Sequence, residues 1–364
     1  MRGQFEIGFR GSGDIGFSKE FAKRLHSSVI PAGTSDEEMK KIMFPVSEAI
    51  FEMMPNSLFR YRPLNNDLKN NKRQIDAFKN DAIFAVTADR FNDPYDTLVR
   101  YDQEGIKRSV NTIVSYKTIE GMKAWFAQGK DLPEEVKQIL PGDLIDFLKK
   151  ALLSIDDISV LKDNIEESRR NMVNLIETFF PILTETAKKY STMACFSESV
   201  NSVLMWSHYA NSHQGFALEY NFRPTLEKPI KNVGLYPVIY DDERMDVSIY
   251  MAWSFLRMLG IEANNPDITS FIKIALHKSS IWAYEKEWRM IDCTLREITD
   301  SEPSKIVYKP VAIYYGRHIS KEHKALLHEI AQAKRLKEYE MYIDYTAPEY
   351  EMRVREYRTS AILE

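Results

Sequence analysis

Cysteine is nearly missing from this chain: there are two in 364 residues, Cys195 and Cys293. That excludes a disulfide framework and a cysteine-built zinc site, and makes a reducing cytoplasm the simplest setting. Long apolar runs are missing too. A membrane helix needs about 20 apolar residues, and the longest clusters, near 148–153 and 250–259, are short or broken by charge. The opening stretch, 1–6, has no apolar signal core. An excess of positive charge is also absent. The net charge is -4 and the pI about 6.1, so no overall basic field draws the molecule onto nucleic acid or an anionic membrane. No internal repeat and no long disordered linker stand out. What remains is ordinary globular composition, 44% hydrophobic and 28% charged, in a chain long enough for one large core or two modest ones.

The periodicities alternate between helix and strand. Glycines 3, 8, 11, 13 and 16 mark the start, and the run 11–16 spells G-x-G-x-x-G. A dinucleotide loop needs a buried strand before it and a helix after it, and only 5–9 precedes it, so an N-terminal arm is the expectation. Two helices follow within 18–54, the second capped by Ser35 or Asp36. A strand at 57–62 alternates, placing Leu58, Arg60 and Arg62 on one face and Phe59 and Tyr61 on the other. A helix over 65–79 and a strand over 82–87 come next. Residues 103–190 carry helical period throughout. Strands at 192–197, 215–220, 236–240, 289–293, 311–315, 340–345 and 352–358 then resume, with helices at 203–210, 246–260, 267–280 and 321–333. The fold class expected is α+β: a central mixed or antiparallel sheet with a large helical insertion. The expected organisation is an N-terminal extension over 1–55, core over 56–102, insertion over 103–190 and the rest of the core over 191–364.

Three stretches concentrate chemistry. They are Phe91-Asn92-Asp93-Pro94-Tyr95-Asp96, Met205-Trp206-Ser207-His208-Tyr209-Ala210 and Tyr284-Glu285-Lys286-Glu287-Trp288-Arg289. Each sets ionisable groups among aromatic ones, which can bury the segment or stack on a flat ligand. We expect them to converge with Arg60–Arg62 on one concave site. Structural readings stand beside that one. Asn92 and Asp93 before Pro94 suit a turn. Glu285 and Glu287 on one strand would share a face and repel unless a cation or substrate lies between them, and Lys286 and Arg289 are candidate partners. No metal is expected: His208 and His213 lie five apart, off the helical spacing, and no His-Glu-x-x-His occurs. Ser197 and Ser207 lack a nucleophile elbow.

These motifs, with Cys195-Phe196-Ser197 and His213-Gln214-Gly215-Phe216-Ala217-Leu218-Glu219-Tyr220, resemble a bacterial family of uncharacterised proteins, domain of unknown function number twenty-nine seventy-one. The resemblance spans roughly 57–320, interrupted by the insertion, and implies no activity. A remoter likeness is to ADP-ribosyltransferases, which bring together an arginine or histidine on an early strand, a central serine or tyrosine region and a late Glu-x-Glu. Arg60 or Arg62, Ser197 or the His208/Tyr209 region, and Glu285-Lys286-Glu287 fall in that order. The His-Gly-Thr and Ser-Thr-Ser motifs are lacking.

That likeness implies NAD as substrate, a protein or nucleic-acid acceptor, and a role in bacterial defence or toxin biology. Glu287 with Glu285 would stabilise a ribosyl cation. Arg60 or Arg62 would hold the diphosphate. Trp206 or Tyr209 would stack on nicotinamide, His208 would move a proton, and Ser197, Asn92 and Asp93 would contact the substrate. Two alternatives remain open. One is a metal-dependent nuclease using Asp93, Asp96, Glu285 and Glu287 around a divalent ion. The other is a sensing module without turnover, with the insertion as a surface for a protein partner.

Overall fold

A computed structural model describes residues 15–31, 33–65, 71–131, 142–156, 162–189, 191–227, 234–248, 250, 267–293 and 305–358. The expected arm and most of the helix expected at 246–260 lie outside the described residues. Two helices, α1 (Ile15–Ser27) and α2 (Asp36–Met53), open the described chain. Ser35 caps α2 by accepting the Glu38 amide, and three acids occupy its first turn. Then come β1 (Leu58–Arg62), α3 (Lys72–Lys79), β2 (Ala82–Phe84) and β3 (Val86–Thr87). The next four elements are helices: α4 (Gln103–Ile113), α5 (Tyr116–Ala127), α6 (Gly142–Leu153) and α7 (Lys162–Ala187).

The chain continues with β4 (Ser191–Ser197), α8 (Val203–Tyr209), β5 (Phe216–Tyr220) and α9 (Arg223–Glu227). After these come β6 (Gly234–Pro237), β7 (Ile239–Asp241), α10 (Ser270–Leu276), β8 (His277–Ser279) and β9 (Glu287–Cys293). The last elements are β10 (Lys305–Val307), β11 (Ala312–Tyr315), α11 (Lys321–Lys334), β12 (Lys337–Tyr342) and β13 (Arg353–Glu356). The main sheet runs β13-β12-β11-β5-β1-β4-β9-β6, with β3 also on β4. It is antiparallel except where β11 meets β12. The class is α+β, as the periodicities indicate.

The registers fix what shares a face. Residues directly opposite on antiparallel strands point the same way. Phe59 faces Ser197, and Ser197 faces Glu287. Phe59, Tyr61, Cys195, Ser197, Glu287 and Arg289 therefore lie on one face. Leu58, Arg60, Arg62, Phe196 and Trp288 lie on the other. The second face contributes to the larger core, where Phe196, Phe216, Leu218 and Tyr220 cluster with Phe78 and Phe222. The first face carries a smaller core in which α8 packs Trp206 edge-on against Tyr61, 5.1 Å between ring centroids. Gly215 allows β5 to begin against the end of β1: a Cβ there would lie 2.0 Å from the Arg62 carbonyl oxygen.

Four expected elements differ. The helix expected over 267–280 stops at Leu276, because His277–Ser279 pairs in parallel with β7. The strand expected over 82–87 is two, β2 pairing with β10 and β3 with β4. Residues 236–240 likewise divide between β6, on β9, and β7, on β8. The strand expected over 340–345 sits earlier, as β12.

Candidate functional site

The registers place Glu287 and Arg289 two residues apart on the first face of β9, and five other segments bring polar groups to them. Arg289 is 0% exposed. Its Nη1 and Nη2 donate to both oxygens of Asp96 at 2.8 and 2.6 Å, its Nε to Glu287 at 2.9 Å, and Nη1 also to the Ala275 carbonyl at 2.6 Å. Lys278, on β8, donates to Glu285 at 2.5 Å and to Glu287 at 2.9 Å, with Asp96 at 3.7 Å. Tyr209, at the end of α8, donates to Glu285 Oε1 at 2.5 Å. The Glu287 amide donates to the Tyr240 hydroxyl at 2.8 Å. Glu285 does not belong to β9. It ends a 3-10 turn, and Lys286 after it has φ 45°, which redirects the chain into the strand. The cation that two neighbouring carboxylates require is therefore Lys278, and not Lys286, whose side chain is exposed.

Three carboxylates meet two cations in this buried network. Burial raises the carboxyl pKa of Glu287, but Arg289 and Lys278 outweigh it and hold the group well below its ordinary value. Glu285 goes the other way: burial dominates, Lys278 offsets it only in part, and the pKa rises. Glu285 is thus the carboxyl whose charge this place favours least, although Tyr209 and Lys278 both donate to it. Lys278 and Arg289 lose to burial but gain more from their acidic neighbours, so both stay charged.

Lys278 also forms part of the wall of a cleft of about 340 Å³, shared with Asp93, Tyr95, Asp241, Glu243 and Trp282. Its ammonium lies 5.2 Å from the Trp282 ring centroid. Asp93 is 7% exposed; its Oδ1 accepts the Tyr95 amide at 2.9 Å, while Oδ2 is enclosed without a hydrogen-bond partner among the described residues. A second cavity of about 330 Å³ adjoins, lined by His26 and His277 and sharing Asp241 and Glu243. Among the described residues no three His, Cys, Asp or Glu side chains are set to hold a metal ion.

The sequence-derived candidates therefore divide. Glu285, Glu287, Tyr209 and Asp96 meet directly, Asn92 reaches the Tyr209 hydroxyl at 3.5 Å, and Asp93 lines the adjoining cleft. Arg60 and Arg62 stand on the opposite face of the sheet, so the expected pairing of either with Glu287 in one cleft is not formed. Trp206 is fully buried, its indole N–H on the Val200 carbonyl at 2.7 Å, and offers no stacking surface. Ser197 donates to the Glu285 backbone carbonyl at 2.6 Å and so holds the 3-10 turn in place. His208 is exposed, with Tyr284 as a ring neighbour 6.5 Å away. The sequence reading missed Lys278 and Tyr240. Lys278 sat inside an expected helix, and its only signal was an unpaired cation seven residues before Glu285.

Residues 205–290 match the family described as "Protein of unknown function (DUF2971)". That stretch includes Tyr209, Lys278, Glu285, Glu287 and Arg289. No curated protein and no solved structure matches the chain significantly. No described helix is long and apolar enough to cross a membrane.

Proposed function

We propose that the chain is a ligand-recognition module whose cleft takes a flat, positively charged small molecule bearing hydrogen-bond donors. The observation that carries this reading is Asp93, a buried carboxylate with one unpartnered oxygen at a cleft walled by aromatic rings. A buried acceptor without a donor is costly, and a ligand hydroxyl or amine relieves that cost. Asp93, Asp241, Asp242 and Glu243 outnumber Arg244 and Lys278 around the cleft, which favours a cation. Trp282 and Tyr95 supply faces for stacking. The network behind Lys278 acts as scaffold, because its charges already satisfy one another.

Nicotinamide riboside, a flat pyridinium with ribose hydroxyls, is a direct probe. Calorimetry should show binding, weakened roughly tenfold or more in Asp93→Asn, the scale of one charge-assisted hydrogen bond. Absence of binding to the wild type would count against the reading. ADP-ribosyl transfer from NAD is the second reading, favoured by one observation: Glu285, with its raised carboxyl pKa, sits on Tyr209 beside the cleft. Incubation with NAD separates the two. Nicotinamide release that disappears in Glu285→Gln would replace recognition with turnover.

A further inference from the structure

The opposite face of the sheet holds a cluster of arginines, Arg60, Arg62 and Arg73, that form no ion pair among the described residues. Arg60 is 8% exposed. Its Nη2 donates to the Phe84 carbonyl at 2.6 Å and its guanidinium lies 5.5 Å from the Phe196 ring centroid, but Nη1 has no hydrogen-bond partner among the described residues. Arg62 follows on the same face, half-buried, and its guanidinium forms no hydrogen bond or ion pair among the described residues. Arg73, on α3, is exposed and stacks over the Phe84 ring at 5.7 Å. Arg60 and Arg73 thus bracket Phe84, one on its carbonyl and one on its ring. Among the described residues, Asp81 acts on neighbouring Tyr220 and is paired with Lys334 at 2.7 Å.

The contrast with Arg289 is instructive. Arg289 is more deeply buried than any of the three but holds two carboxylates and a carbonyl, and its charge is reinforced. Arg62 is pushed down to about 9 by burial, then by Arg60 and Arg73. Arg60 is lowered by burial first and by Arg73 as well. Like charges gathered in a poorly solvated place are unfavourable unless an anion joins them.

We propose that Arg60, Arg62 and Arg73 form a binding site for a phosphoryl group, entered from the Arg73 side. Exposure falls from Arg73 through Arg62 to Arg60, so Arg73 is the member that solvent reaches first. A phosphoryl dianion matches several guanidinium forks at once, whereas a carboxylate brings one charge and two oxygens. The site is separate from the cleft beside Asp93 and stands whether or not that cleft takes a cation.

The test follows melting temperature in inorganic phosphate against chloride at matched ionic strength. Phosphate should stabilise the wild type beyond chloride, with the apparent affinity reduced roughly tenfold in Arg62→Gln and in Arg73→Gln. Without phosphate, Arg62→Gln should melt at or above the wild-type temperature, because it removes an uncompensated charge. Adenosine monophosphate and adenosine form a second arm. A stronger response to the monophosphate than to phosphate, with adenosine silent, assigns the site to a phosphate ester; equal responses assign it to free phosphate. The proposal is overturned if phosphate does no more than chloride, if both variants respond as the wild type does, or if ligand-free Arg62→Gln melts lower.

Discussion

Glu285 and Glu287 share one lysine, yet their environments shift their carboxyl pKa values in opposite directions. Glutamine mimics a protonated glutamate, so the two substitutions should differ. Glu287→Gln leaves Arg289 and Lys278 short of a buried countercharge and should cost about 3–5 kcal/mol. Glu285→Gln removes a charge that burial already disfavours and should cost clearly less than Glu287→Gln. Urea unfolding of both variants, with the slopes compared as well as the midpoints, measures the difference. Equal losses would show that the surroundings do not hold the two carboxyls differently. The sequence did reveal that these two glutamates needed a cation. It concealed which one, because Lys286 and Arg289 are near in sequence while Lys278 arrives by parallel pairing of β8 with β7.

Helices α4 to α7 contribute no strand to the main sheet, and they keep a small core of their own. Ile106 and Val110 of α4, with Val114 just beyond its end, bury against Ile165 of α7. Ile165→Ala should cost about 2–4 kcal/mol, and the loss should stay local. Hydrogen exchange should speed up in α4 and α7 while β4 and β9 keep their protection; equal acceleration in β4 would show that the helices and the sheet unfold together. This stretch was legible because helical period is a local property, and so was the alternation of β1. The boundaries that failed, at 82–87, 236–240 and 277–279, all lie where a strand changes partner. Partner choice depends on residues far away in the chain, and a local pattern does not contain it.

Across the whole molecule, several buried groups titrate unfavourably as pH falls. Burial, then His277 and Lys273, lowers His26 from the ordinary 6.5 to about 4, against a smaller opposing effect of Asp267. Burial also lowers His277, opposed by the Lys273 carbonyl and by Asp241. The unfolded chain takes these protons first, so stability should decline as pH drops from about 6.5 towards 4. Glu287 adds a second loss as pH falls below the ordinary 4.5 towards its lowered value. Glu285, raised in the fold, contributes with the opposite sign above 4.5 and so offsets part of the histidine loss. Melting curves across this range should show the decline, and His26→Gln should flatten its upper part. Identical profiles above pH 4.5 in the wild type and His26→Gln would contradict the assignment. At this scale the sequence was least informative. The face of β1 was readable on its own, but its relation to β9 required the register through β4, and that register separates Arg60 from Glu287.

The partnership of Arg289 with Asp96 joins positions 193 residues apart. A ribosome delivers Asp96 long before Arg289, and β4 is made well before the strand that flanks it at the centre of the sheet. Through that interval Asp96 must stay in water, since burying it alone would strand a charge. The centre of this molecule is therefore completed late in synthesis, and a chain truncated before β9 has a lasting electrostatic reason not to close.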